Sequence, residues 1–101
     1  MSKKNTIKKY RIKRDCWDLD IAFLKWLRER LPVYLHDAGK FVDLTYYKFE
    51  YEGREYTQEE LIKYLIRLLD EMPDFNLDPE WDTYISKILD VWKLLFPAMW
   101  W

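Results

Sequence analysis

TQEELIKYLIRLLDEM, residues 57–72, is followed by Pro73, and its reading decides the fold. Thr57 and Glu60 have the spacing of a capping box, in which each side chain satisfies a backbone N–H that the first turn of a helix leaves orphaned. Behind them Leu61, Ile62, Leu65, Ile66, Leu68, Leu69 and Met72 recur at steps of three and four, which makes a broad apolar helix face. Pro73 lacks the N–H that would continue the ladder, so it ends the helix. A single helix with so wide an apolar face is not stable in water, so the rest of the chain must cover it.

Two further helices are predicted to do so. On the N-terminal side, Asp18 is a plausible N-cap with Asp20 in the first turn. Leu24, Leu27, Leu31, Tyr34, Leu35 and Ala38 then give an apolar face widened by Phe23 and Trp26, and Gly39 is a stop. Pro32 cannot bond the carbonyl of Arg28, which predicts a kink or a split near Arg30–Leu31. On the C-terminal side, Phe75 and Leu77 are expected to tuck inward. Asp78-Pro79 reads as an N-cap followed by proline at the first helical position. The third helix should run through Trp81, Tyr84, Ile85, Ile88, Leu89, Trp92 and Leu95 until Pro97.

Between the first two helices, Tyr47, Phe49 and Tyr51 alternate with Lys48 and Glu50. Gly53 can take a positive φ, so the segment reads as a short hairpin that must lean on the helices. The fold class that follows is α+β, mainly α: a three-helix cluster, its first helix kinked at Pro32, with a small β-hairpin and a basic N-terminal arm. Leu27, Leu31, Leu65, Leu69, Ile85, Leu89 and Trp92 are expected to form one core.

The arm is residues 1–14, with Lys3, Lys4, Lys8, Lys9, Arg11, Lys13 and Arg14 and no acidic side chain. Taking these seven from the 17 Lys+Arg leaves 10 basic against 18 acidic side chains in residues 15–101, a net of −8. A nearly neutral total thus joins a basic arm to an acidic single-domain body, an asymmetry that signals a partner. Tyr10 and Ile12 fall on one side of a weak alternation, which permits an edge strand beside the hairpin. The arm also reads as a solvated tail. Six Trp exceed what a core of this size hides easily, so one or two are expected at an interface. One cysteine, Cys16, allows no internal disulfide, and nothing apolar follows the basic start as in a secretory signal. With no stretch long enough for a bilayer, the chain reads as cytoplasmic, with no membrane partner.

Catalytic chemistry has little to stand on. Asp15, Asp18 and Asp20 crowd together as a calcium or magnesium site would require, but the further ligands and turn glycine of a calcium loop are missing. Helix capping explains the same three residues. Glu59, Glu60, Asp70 and Glu71 lack the paired Glu-x-x-Glu spacing of an all-α nucleotide pyrophosphohydrolase. His36 suits the negative end of its helix, and a pair with Cys16 is supported only by there being one of each. Structural zinc would need four Cys/His ligands, and two glycines make no phosphate loop. The chain is read as neither an enzyme nor a cofactor binder.

The run Asp18-Leu19-Asp20-Ile21-Ala22-Phe23-Leu24-Lys25-Trp26-Leu27-Arg28-Glu29-Arg30-Leu31 resembles the start of small uncharacterised accessory proteins of tailed phages and prophages. Glu59 to Met72 and the closing Pro97-Ala98-Met99-Trp100-Trp101 share that texture. The resemblance implies a small phage-type protein and supplies no activity. The expected function is binding another protein, as a modulator or inhibitor of a host or defence protein, with a homo-oligomer left open. The alternative is nucleic-acid association through residues 3–14. Partner-binding candidates are Lys8, Lys9, Tyr10, Arg11, Lys13, Arg14, Trp100 and Trp101. Pro97 forces the tail after Phe96 to turn, either across the core or into an interface.

Overall fold

The structure, a computed structural model, describes residues 12–13, 16–74 and 77–99. It is a three-helix assembly with one antiparallel hairpin: α1 (Leu19–Ala38), β1 (Lys48–Tyr51), β2 (Arg54–Thr57), α2 (Gln58–Glu71) and α3 (Trp81–Leu95). Short 3-10 turns, Cys16–Asp18 and Phe96–Ala98, precede α1 and follow α3.

The stretch quoted first behaves as its sequence requires. Thr57 Oγ1 accepts from the Glu60 N–H at 3.1 Å and Glu60 Oε1 accepts from the Thr57 N–H at 3.0 Å. The Thr57 backbone N–H, with the Thr57 hydroxyl after it, holds the Glu60 carboxyl below its ordinary range. Leu61, Ile62, Leu65, Leu68 and Leu69 are buried. Met72 is driven into extended backbone before Pro73, and α2 stops there.

The other helices flank α2. Arg28 Nε donates to Asp70 Oδ1 at 2.9 Å, so the first half of α1 lies beside the end of α2. Gln58 Nε2 donates to the Ala98 carbonyl at 3.3 Å, so the start of α2 lies beside the end of α3. Both flanking helices are therefore antiparallel to α2 and parallel to each other. Leu24, Leu27 and Leu31 of α1 meet Ile88, Val91 and Leu95 of α3 in one buried cluster around α2, with Trp81 included.

The hairpin closes on Glu52 and Gly53, with φ of 51° and 74°, the two left-handed residues that a tight two-residue turn needs. Phe49 and Tyr56 pair across the strands on the inner side. Tyr56 stacks on Tyr64 of α2 at 5.9 Å between centroids, and Tyr51 meets the same ring at 6.2 Å. The hairpin thus leans on α2 through three tyrosines. Burial first, then the neighbouring Glu52 carboxylate, pushes the Tyr51 phenol up to about 12. The preceding loop is held by the Glu59 N–H donating to the carbonyl of buried Leu44 at 2.9 Å.

Several expectations are corrected. Helix α1 is continuous through Pro32 from Leu19 to Ala38, so the chain does not split near Arg30–Leu31. Asp18 occupies the N-cap position of α1, yet its side chain makes no capping bond. Helix α3 begins at Trp81, two residues later than expected. Asp78 Oδ1 still accepts from the Glu80 N–H at 2.9 Å, so its capping chemistry orders the turn that leads in. Leu77 is exposed, and Phe75 lies outside the described residues. Leu89 is 47% exposed rather than core, because α3 is rotated to bury Ile88, Val91 and Leu95. Ile85 and Trp92 are partly buried against that cluster. Ile12 and Lys13 are helical and exposed, so an arm strand does not include them, and the rest of the arm lies outside the described residues.

Two outcomes follow. Leu65→Ala should cost about 2–5 kcal/mol of stability in urea denaturation, whereas Leu89→Ala should stay within about 0.5 kcal/mol. Folded Tyr51 also holds its proton more tightly than an unfolded tyrosine, whose pKa is about 10. Its contribution is complete below about pH 10 and is lost as the pH rises towards about 12. Thermal melts across that interval should show a falling Tm, and Tyr51→Phe, with no proton to lose, should flatten the fall.

Candidate partner-binding face

Helix α2 takes up the main apolar faces of α1 and α3, but each flanking helix carries a second stripe beside its buried one. On α1 this is Leu19, Phe23, Trp26, Arg30 and Val33, at steps of four, three, four and three. On α3 and the turn after it, the stripe is Ile85, Leu89, Trp92 and Phe96, at steps of four, three and four. Such steps keep residues on one side of a helix. Because α1 and α3 run parallel on either side of α2, the two stripes border one groove.

Side chains bridge its floor. Phe23 meets Trp92 edge to face at 6.5 Å, and Trp92 meets Phe96 in the same manner at 5.3 Å. Arg30 stacks its guanidinium 4.8 Å above the Trp26 ring and donates to the Trp26 carbonyl at 3.3 Å. The cation is thereby laid along the groove wall with its apolar stem inward. Towards the end of α3, Trp26, Tyr34, Trp92, Phe96 and Met99 enclose about 260 Å³ above Leu27 and Leu31. The stripes are open to solvent: Trp26 is 46% exposed, Phe96 64%, Leu19 62% and Val33 58%. The charged residue of the lining is Arg30, whose guanidinium also stands 3.7 Å from the Glu29 carboxylate.

Gln58, the buried polar residue of α2, sets one wall. The hydrogen bond that its side-chain amide donates to the Ala98 carbonyl holds the turn Phe96–Ala98, and that turn delivers Met99 to the groove. Sequence reading missed Gln58, which sits inside the capping-box spacing and looks like an ordinary first-turn residue.

Of the residues named from the sequence, Lys13 is exposed beside Ile12. Lys8, Lys9, Tyr10, Arg11, Arg14, Trp100 and Trp101 lie outside the described residues. Trp100 follows directly on Met99, a half-buried lining residue. Asp18 and Asp20 are exposed, Asp20 Oδ1 accepts from the Ile21 N–H at 2.8 Å, and Asp15 lies outside the described residues. Cys16 and His36 stand near opposite ends of α1, a helix about 30 Å long, and are not brought together. His36 Nδ1 instead faces Asp37 Oδ1 at 3.1 Å. Trp17 is exposed and Trp81 buried, so of the four described Trp only Trp26 and Trp92 line the groove.

No helix among the described residues is long and apolar enough to cross a membrane. Compared with protein-family models, curated proteins and solved structures, the chain matches none.

Proposed function

We propose that this chain acts by binding another protein, as a small phage-type modulator or inhibitor of a host or defence protein would, and that the groove between α1 and α3 is its contact surface. The observation that carries this is the paired stripe of half-exposed Trp26, Leu89 and Phe96 over Trp92. Large aromatic side chains left in water on one face favour association, because covering them removes apolar surface from solvent. Aromatic anchors with a charged rim are also the usual anatomy of a protein interface. The basic arm adds attraction for an acidic partner surface, effective within roughly 8 Å at physiological salt.

Affinity capture from a lysate of the source organism, read by mass spectrometry, tests the reading. The full chain should retain a partner protein that a Trp26→Gln, Phe96→Ser chain does not. Both baits retaining the same proteins would remove the groove from the function. Nucleic-acid association through the arm predicts something else, an affinity that falls steeply with salt. We expect no sequence-specific DNA binding at physiological salt. A gel shift showing sub-micromolar preference for one DNA sequence over random DNA would transfer the function to residues 3–14.

A further inference from the structure

Where the hairpin leans on α2, a second hollow of about 350 Å³ is lined by Arg54 and Tyr56 of β2 and by Glu60, Lys63, Tyr64 and Arg67 of α2. None of these residues borders the α1–α3 groove. Arg54 and Tyr56, two residues apart, share one face of β2. The near-parallel Tyr56 and Tyr64 rings join the strand to the helix, and a guanidinium lies over each of them. Arg54 stands 4.9 Å above the Tyr56 ring and Arg67 5.2 Å above the Tyr64 ring. Lys63, one turn before Arg67, is the third cation of the lining. From this arrangement we infer that the hollow binds a phosphate monoester, held by Arg54, Lys63 and Arg67 beside the paired tyrosines.

Glutamates surround this hollow, but each is already engaged. Glu60 accepts from the Thr57 N–H at 3.0 Å in the capping box, and Glu59 holds Lys63 at 2.8 Å. Glu71 stands 3.8 Å from Arg67 Nε, Glu55 pairs with Lys48 at 3.3 Å, and Glu52 faces the Tyr51 hydroxyl. Arg54 has no carboxylate within 4.0 Å among the described residues, so the charge left over in the lining is positive. Donors are left over as well. A guanidinium has five N–H groups and an ammonium three, and the contacts with Glu71 and Glu59 engage one nitrogen of each cation. A guanidinium laid flat on a ring keeps its N–H groups at its edge, free to meet an acceptor in its own plane. A single carboxylate has two oxygens and one charge, no more than the glutamates already present. A phosphate monoester has three terminal oxygens for three cations and a charge of about −1.5 to −2 at neutral pH. It can therefore compete for Lys63 and Arg67, whose exposed pairs with Glu59 and Glu71 hold them only weakly.

Titration of the full chain with phenyl phosphate at constant ionic strength, followed by proton–nitrogen NMR that includes the arginine Nε signals, tests this. At about pH 7.5 the monoester is a dianion, and the Arg54 and Arg67 signals should shift along one saturating curve. The expected dissociation constant is about 1 mM or tighter, with acetate at least about tenfold weaker. Arg54→Gln should weaken binding at least about fivefold while Tm is kept. Arg67→Gln should do the same, and it serves where Arg54→Gln disturbs the hairpin. Adenosine monophosphate and a phosphoserine peptide separate the two sources of the group, a free metabolite and a protein side chain, and saturation of the same signals by either supports the site. Shifts that do not saturate below about 20 mM phenyl phosphate overturn the inference. So do acetate binding as tightly, an affinity that neither substitution weakens, and a site filled by a DNA oligonucleotide but by no monoester.

Discussion

Everything in this structure depends on the burial of α2. Leu61, Ile62 and Leu65 have no exposed surface, and their neighbours Leu68 and Leu69 retain almost none. One helix cannot be covered so completely from one side, so α1 and α3 must lie on both flanks, antiparallel to it. The hairpin covers what they leave near Tyr64. The Arg28–Asp70 pair adds little to this, because both side chains are more than half exposed and such pairs contribute only about 0–1 kcal/mol. It marks the register of α1 against α2.

The same constraint explains the groove. Two helices placed either side of a third satisfy the middle one first. The outer pair meet across the gap only as closely as their side chains allow, here through Phe23 and Trp92. The second apolar stripe on each outer helix is therefore surplus to the internal core, and it faces the direction in which a bundle would add its next helix.

The parts of this arrangement that were legible in the sequence are those governed by local physics. The capping box at Thr57 and Glu60, the left-handed turn at Glu52-Gly53 and the stop at Pro73 each involve residues within a few positions of one another. The helix faces of α1 and α2 were legible because their apolar arcs are long. For α3, the apolar residues cover so wide an arc that periodicity alone does not fix its rotation. Contacts with α2 select Ile88 over Leu89. Pro32 does not split α1, since an exposed proline in a long helix anchored by Leu31 and Ala38 can be carried without a break. The candidate face was partly visible in Phe23 and Trp26, which widened the α1 stripe beyond what one neighbour needs. Which side lay open required the parallel placement of α1 and α3, a tertiary fact. Gln58 gave no signal, because its partner is a backbone carbonyl 40 residues away.

A two-stranded sheet has two bare edges, and each presents unpaired backbone groups to any passing strand. In this hairpin Glu50 and Glu55 face each other directly across the ladder, an unfavourable pairing that Lys48 relieves on one side at 3.3 Å from Glu55. The residual negative charge sits on the outward surface of both strands, so a second hairpin stacking edge to edge would bring four carboxylates into register. The electrostatic strain tolerated inside one molecule thus becomes a barrier between molecules, and it guards against fibrillar association through the sheet.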